Sequence, residues 1–124
     1  SWRAANKLGE IFIQLGEASR ALDMFDLAIE LREDFIEPRL GRCEAMISLG
    51  RTSQAKSELQ SMSHLDCADQ PLLFAIALRS EGNKVAADRY VDQAYERVRS
   101  AGILSSHRVT QLNGIIHEGR PVPA

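Results

Sequence analysis

The residues of this 124-residue chain best suited to metal or nucleophilic chemistry are Cys43, Cys67, His64, His107 and His117. His64 and Cys67 form a His-x-x-Cys pair, which could supply two metal ligands. Structural zinc takes about four ligands, commonly drawn from closely spaced pairs. No second pair stands nearby, and His107 and His117 lie far along the chain. A cysteine beside a histidine is not a catalytic set without a third group to orient the base, and none is legible. No phosphate-cradling glycine loop occurs, since the glycines sit where helices should end. Cys43 falls at a small-residue packing position. Glu10, Glu44 and Glu58 read as solvated carboxylates on helix faces rather than acid–base pairs. The expectation is a non-enzymatic protein that holds no metal or cofactor.

Composition points the same way. Hydrophobic residues make up 44% and charged residues 26%, ordinary for a globular chain of one domain. The formal net charge is −2, which argues against a nucleic-acid partner, because such binders show a strongly basic face. No apolar run approaches the ~18 residues of a membrane span, and no signal-peptide pattern opens the chain. These features favour a cytoplasmic location and no membrane partner. The chain opens on Ser1 rather than Met and reads as a fragment, so the missing targeting signals say little about its parent.

The elements are set by three glycines. Gly16 and Gly50 are separated by 50 − 16 = 34 positions, and Gly50 and Gly82 by 82 − 50 = 32. Five residues after each stands an alanine: Ala21, Ala55 and Ala87. Four further on come Phe25, Leu59 and Val91, then Ala28, Met62 and Ala94. Before the glycines, Gly9 and Phe12 answer to Cys43 and Met46, and to Ala75 and Leu78. The two missing residues therefore fall between Met62 and Phe74. Small residues allow helix axes to approach to the low end of the usual 8–10 Å, and glycine readily takes the left-handed conformation that closes a helix.

Helices are expected over about 2–15, 18–31, 37–49, 52–62, 69–81, 84–100 and 105–117. The second carries Ala21, Leu22, Phe25, Ala28, Ile29 and Leu31 in the order of a one-faced helix. Pro38 and Pro71 suit first turns, where a missing N–H costs no helical bond. Thr52 or Ser53 could cap the fourth helix and Ser105 or Ser106 the seventh. Phe35 and Ile36 should wedge between repeats. Trp2 either lies over the first helix pair or marks a surface for an upstream repeat or another chain. Helix 5, with its unbroken apolar run from Leu72 to Leu78, should be covered by both the sixth and the seventh helix. Helix 6 turns Val85, Ala86, Tyr90, Val91, Ala94 and Val98 inward. Gly102 breaks the chain, and Gly114 marks a close approach to helix 6. Val109, Leu112, Ile115 and Ile116 form one stripe on the seventh helix, which Gly119 ends, and 119–124 is a flexible tail.

This order of small and large residues at a period of about 34 resembles the tetratricopeptide repeat (TPR) family over residues 2–100. The first copy matches with Leu8-Gly9, Phe12, Ala21 and Phe25. It departs at Ala5, where the pattern has Trp, and at Pro38, which comes late. The second copy has Arg42-Cys43 in place of Leu-Gly. The resemblance implies an all-α fold: a right-handed α-α superhelix of three helical hairpins (about 2–35, 36–67 and 68–100) plus a C-terminal capping helix, as one domain over 1–118. It also implies a concave groove lined by the first helix of each pair: Arg3, Asn6, Glu10, Ile13 and Gln14; Glu37, Leu40, Glu44, Ile47 and Ser48; Asp69, Leu72, Ile76 and Arg79. One branch of the family grips a peptide's terminal carboxylate with cations. The matching places here hold Asn6, Glu10, Gly41, Asp69 and Leu73, so that mode is excluded. The groove is mixed apolar and acidic, which suits a peptide with apolar anchors and a Lys or Arg. The resemblance thus implies a protein-binding scaffold. Its alternatives are an architectural segment of a longer array, self-associating through the Trp2 end, and an accessory module of a larger enzyme.

Overall fold

The computed structural model describes residues 1–100 and 106–118. Among them are seven α-helices and no strand: α1 (Trp2–Gln14), α2 (Ala18–Leu31), α3 (Ile36–Ser48), α4 (Thr52–Ser61), α5 (Asp69–Ser80), α6 (Lys84–Ser100) and α7 (Ser106–Glu118). The fold is therefore all-α. The expected break at Gly102, the cap at Ser105, the helix end at Gly119 and the tail at 119–124 lie outside the described residues. So do the side chains of Ser106, His107, Val109, Ile116 and His117. The chain divides into two compact units, Ser1–Ser61 and Met62–Ala124. The division falls where the interval that loses two residues begins.

The three glycines do the same work at three helix ends. Each has positive φ (76°, 82° and 83°), a conformation in which a Cβ would clash. At the first, the Gly16 N–H bonds to Ile13 O and the Glu17 N–H to Phe12 O. At the second, Gly50 N–H bonds to Ile47 O and Arg51 N–H to Met46 O; at the third, Gly82 N–H bonds to Arg79 O and Asn83 N–H to Leu78 O. This pair of bonds is the Schellman closure, which satisfies carbonyls that a helix end leaves open. The residue after each glycine then opens the next helix, its carbonyl accepting from Ala21, Ala55 or Ala87. Those three alanines are fully buried. Arg51 thus holds the cap position of α4, and Thr52 is already helical, contrary to the expected hydroxyl cap. Two side-chain caps do form: Ser1 Oγ accepts from Ala4 N–H, and Asn83 Oδ1 from Ala86 N–H, each at 3.3 Å.

In the first unit, α3 packs on both α1 and α2, and α4 packs on α3. The centre is the Phe25 ring, fully buried. A Cβ built on Gly9 would come within 2.6 Å of that ring, and one on Gly41 would clash with it as well. Two glycines on different helices therefore leave the space that one phenylalanine fills. Burying such a side chain contributes about 1.5–3 kcal/mol. Ala21, Phe25 and Ala45 form the core, with Phe12, Ile13 and Leu22 packed around it. Phe35 does wedge, but against Trp2: the two rings stack at 4.1 Å between centroids. Arg3 lies over Trp2 and Arg32 over Phe35. Leu31, expected inward, is exposed because the helix face it shares with Leu27 has no neighbour.

In the second unit, α5 packs on α6 and α7 on α6. Phe74 of α5 and Tyr90 of α6 meet at 4.6 Å. Val85 is exposed rather than inward, because it stands in the first turn of α6 before Ala87 and Val91 enter the core. Arg108 of α7 donates to Asp69 of α5 at 2.6 Å, both side chains nearly closed from solvent. That pair ties α7 to α5. Gly114 marks no close approach, since a Cβ there would meet nothing within 4 Å.

Candidate functional site

The first-unit members of the expected groove divide by exposure. On α1, Arg3 and Gln14 are exposed, and Asn6, Glu10 and Ile13 are half-buried. On α3, Glu37 and Ser48 are exposed, but Leu40, Glu44 and Ile47 are buried. The last three are not available surface in this structure, and Glu44 is not the solvated carboxylate its helical position suggested. Their helix packs on α1, α2 and α4. Glu10 is held by Lys7 at 3.5 Å. Asn6 places its Oδ1 out of contact with water and without a hydrogen-bond partner.

In the second unit, Leu72 and Asp69 are buried, Asp69 by its pairing with Arg108. Ile76 and Arg79 are half-buried. They line a cleft of about 380 Å³ with Gln111, Gly114 and Ile115 of α7. The expectation that α5 carries surface for a partner therefore narrows to its C-terminal half.

A second charged site was not legible in the sequence. Arg42 of α3 bonds to Asp26 of α2 at 3.5 Å and to Glu58 of α4, bracing three helices. Burial works against its charge, but the hydrogen bond that it donates to Glu58 and the charges of Glu58 and Asp26 outweigh it and hold its pKa above the ordinary value. Glu58 is thus a brace rather than a solvated face. The 16-residue spacing on either side of Arg42 gives no periodic signal, so only the packed helices reveal the node. Beside it, Asp23, Asp26, Leu27, Ile29, Glu30 and Glu33 line a cleft of about 430 Å³.

Of the chemistry-bearing residues, Cys43, His64 and Cys67 have described side chains. Cys43 is buried in α3, as a packing residue should be. Cys67 is half-buried, and burial pushes its thiol pKa up, away from the reactive thiolate. His64 is exposed. Arg97 of α6 donates to the carbonyls of Cys67 (2.8 Å) and Leu65 (3.4 Å), pinning this loop by its backbone. Among the described residues, no three His, Cys, Asp or Glu side chains gather as metal ligands, and no helix is long and apolar enough to cross a membrane. No protein-family model, curated protein or solved structure matches the chain.

Proposed function

We propose that this chain is a TPR-like scaffold that binds an extended segment of a protein partner along α1 and the exposed edge of α3. The observation that carries this reading is Asn6 Oδ1, a buried acceptor with no donor in the folded chain. A buried polar atom left unbonded costs about 1–3 kcal/mol. Because that oxygen is closed from solvent, a peptide N–H laid against α1 would reach it only as the half-buried Asn6 side chain turns outward. Glu10 and Glu37 both follow it in sequence, on α1 and α3, and would attract a Lys or Arg of the segment. Half-buried Ile13 would receive an apolar side chain. The repeated glycine closures support the helical-repeat reading, and in such arrays stacked hairpins leave one face of their first helices open.

The test uses peptides selected from a random library against the full chain, with affinity read by fluorescence anisotropy. Asn6→Leu should weaken the selected peptides by roughly tenfold, one hydrogen bond to a buried group. The same substitution should leave thermal stability equal or higher, because it removes an unsatisfied acceptor. Glu10→Lys with Glu37→Lys should weaken basic peptides further. Glu44→Lys is unsuitable, since it would bury an ammonium group. Peptides that bind Asn6→Leu and the double reversal as well as they bind the unaltered chain would overturn this assignment.

A further inference from the structure

The first hairpin keeps a leucine-rich face in water. Of the large apolar side chains exposed among the described residues, Leu8 and Ile11 lie on α1, Leu15 at its C-cap, and Leu27 and Leu31 on α2. Ala4 extends the α1 set, giving Ala4, Leu8, Ile11 and Leu15 at i, i+4, i+7 and i+11, one helical stripe. Leu27 and Leu31 share a face of α2 at i and i+4. Neither stripe includes the residues that close on Phe25, although Leu27 also lines the cleft beside Arg42 of α3. A contiguous apolar face of this kind marks an interface.

The chain itself shows what such a position does when a neighbour is present. Shifted by one 34-residue period, Ile11 becomes Ala45. Ala45 is fully buried against Ala21 and Phe25 of the preceding helix, whereas Ile11 is 42% exposed. The position is thus one at which a helix docks on another hairpin.

We propose that this face is closed by a second copy of the chain, with α1 of each copy lying over α2 of the other about a two-fold axis. Charge favours this occupant. The margin of the α1 stripe carries Arg3 and Lys7, and that of the α2 stripe carries Asp23 and Glu30, all exposed; Arg20, on the α2 stripe itself, is paired with Glu17. An isologous contact brings each basic margin to the acidic margin of the other copy, and the leucines to one another. The Trp2 ring is stacked on Phe35 of its own chain and is not needed for this contact. This surface borders the peptide-binding edge proposed above, where Lys7 pairs with Glu10, but its leucines and isoleucine are no part of that edge and it does not depend on it.

Sedimentation equilibrium of the full chain from about 1 μM to about 1 mM covers the range in which a modest interface assembles. The unaltered chain should pass from monomer to dimer and stop there. Ile11→Asp with Leu27→Asp should raise the dissociation constant at least ~30-fold. These residues are exposed, and circular dichroism should show the folded chain retained. Lys7→Glu and Glu30→Lys should each weaken the dimer several-fold and together restore it. Asn6→Leu should leave dimerisation unchanged, so failure here and failure of peptide binding are separable. A monomer at every concentration, assembly that grows beyond two copies, or a dimer indifferent to the Ile11 and Leu27 substitutions would overturn the proposal.

Discussion

Phe25 and its two glycines show how one side chain fixes three helices. The ring is fully buried, so it cannot swing away to admit an added methyl group. Gly41→Ala should therefore cost about 1–3 kcal/mol of unfolding free energy, read from urea melts, although alanine favours helix. Gly41→Ala with Phe25→Leu should recover part of that loss, because the smaller side chain vacates the space. Gly9 was legible as a small-residue position because it recurs as Cys43 and Ala75. Gly41 was not, since its counterpart one period earlier is Lys7. Its reason is the bulk of a ring sixteen residues away, which no local pattern encodes. Glu44 fails as a surface residue on the same ground: helical spacing assigns a face, but neighbours decide whether that face is wet.

Elements are held by backbone closures at one end and by specific charges at the other. The Schellman bonds after α1, α3 and α5 follow from glycine chemistry, and the sequence announced them. The seating of α7 does not follow from such a rule. Its apolar spacing foretold a helix with Leu112 inward, and Leu112 is buried. It is tied to α5 by the Arg108–Asp69 pair, 39 residues apart. Arg108→Met should destabilise the chain by about 3–5 kcal/mol in chemical denaturation, because it strands a carboxylate away from water. Asp69→Leu with Arg108→Met should restore most of that stability, since both charges then leave the interior together. If the single substitution costs no more than a surface change, the pair is not seated as described.

For the molecule as a whole, an exposed leucine face predicts that stability depends on concentration. A dimer that forms only from folded chains raises the melting temperature as protein is added. Scanning calorimetry of the unaltered chain should show that rise, and Ile11→Asp with Leu27→Asp should abolish it. An identical melting temperature across a hundredfold dilution would speak against association of folded chains. The sequence by itself determined the helices, their glycine stops and the alanines between them, because backbone conformation and side-chain periodicity act over a few residues. It left open which side of each helix meets another. Tertiary structure decided that Leu8, Leu31 and Val85 face water while Leu40, Glu44 and Ile47 do not. It also decided which charges pair across the fold: Arg42 with Asp26 and Glu58, and Arg108 with Asp69. Burial and ion pairing depend on what packs against a face from elsewhere in the chain, and that separation is invisible to any local repeat.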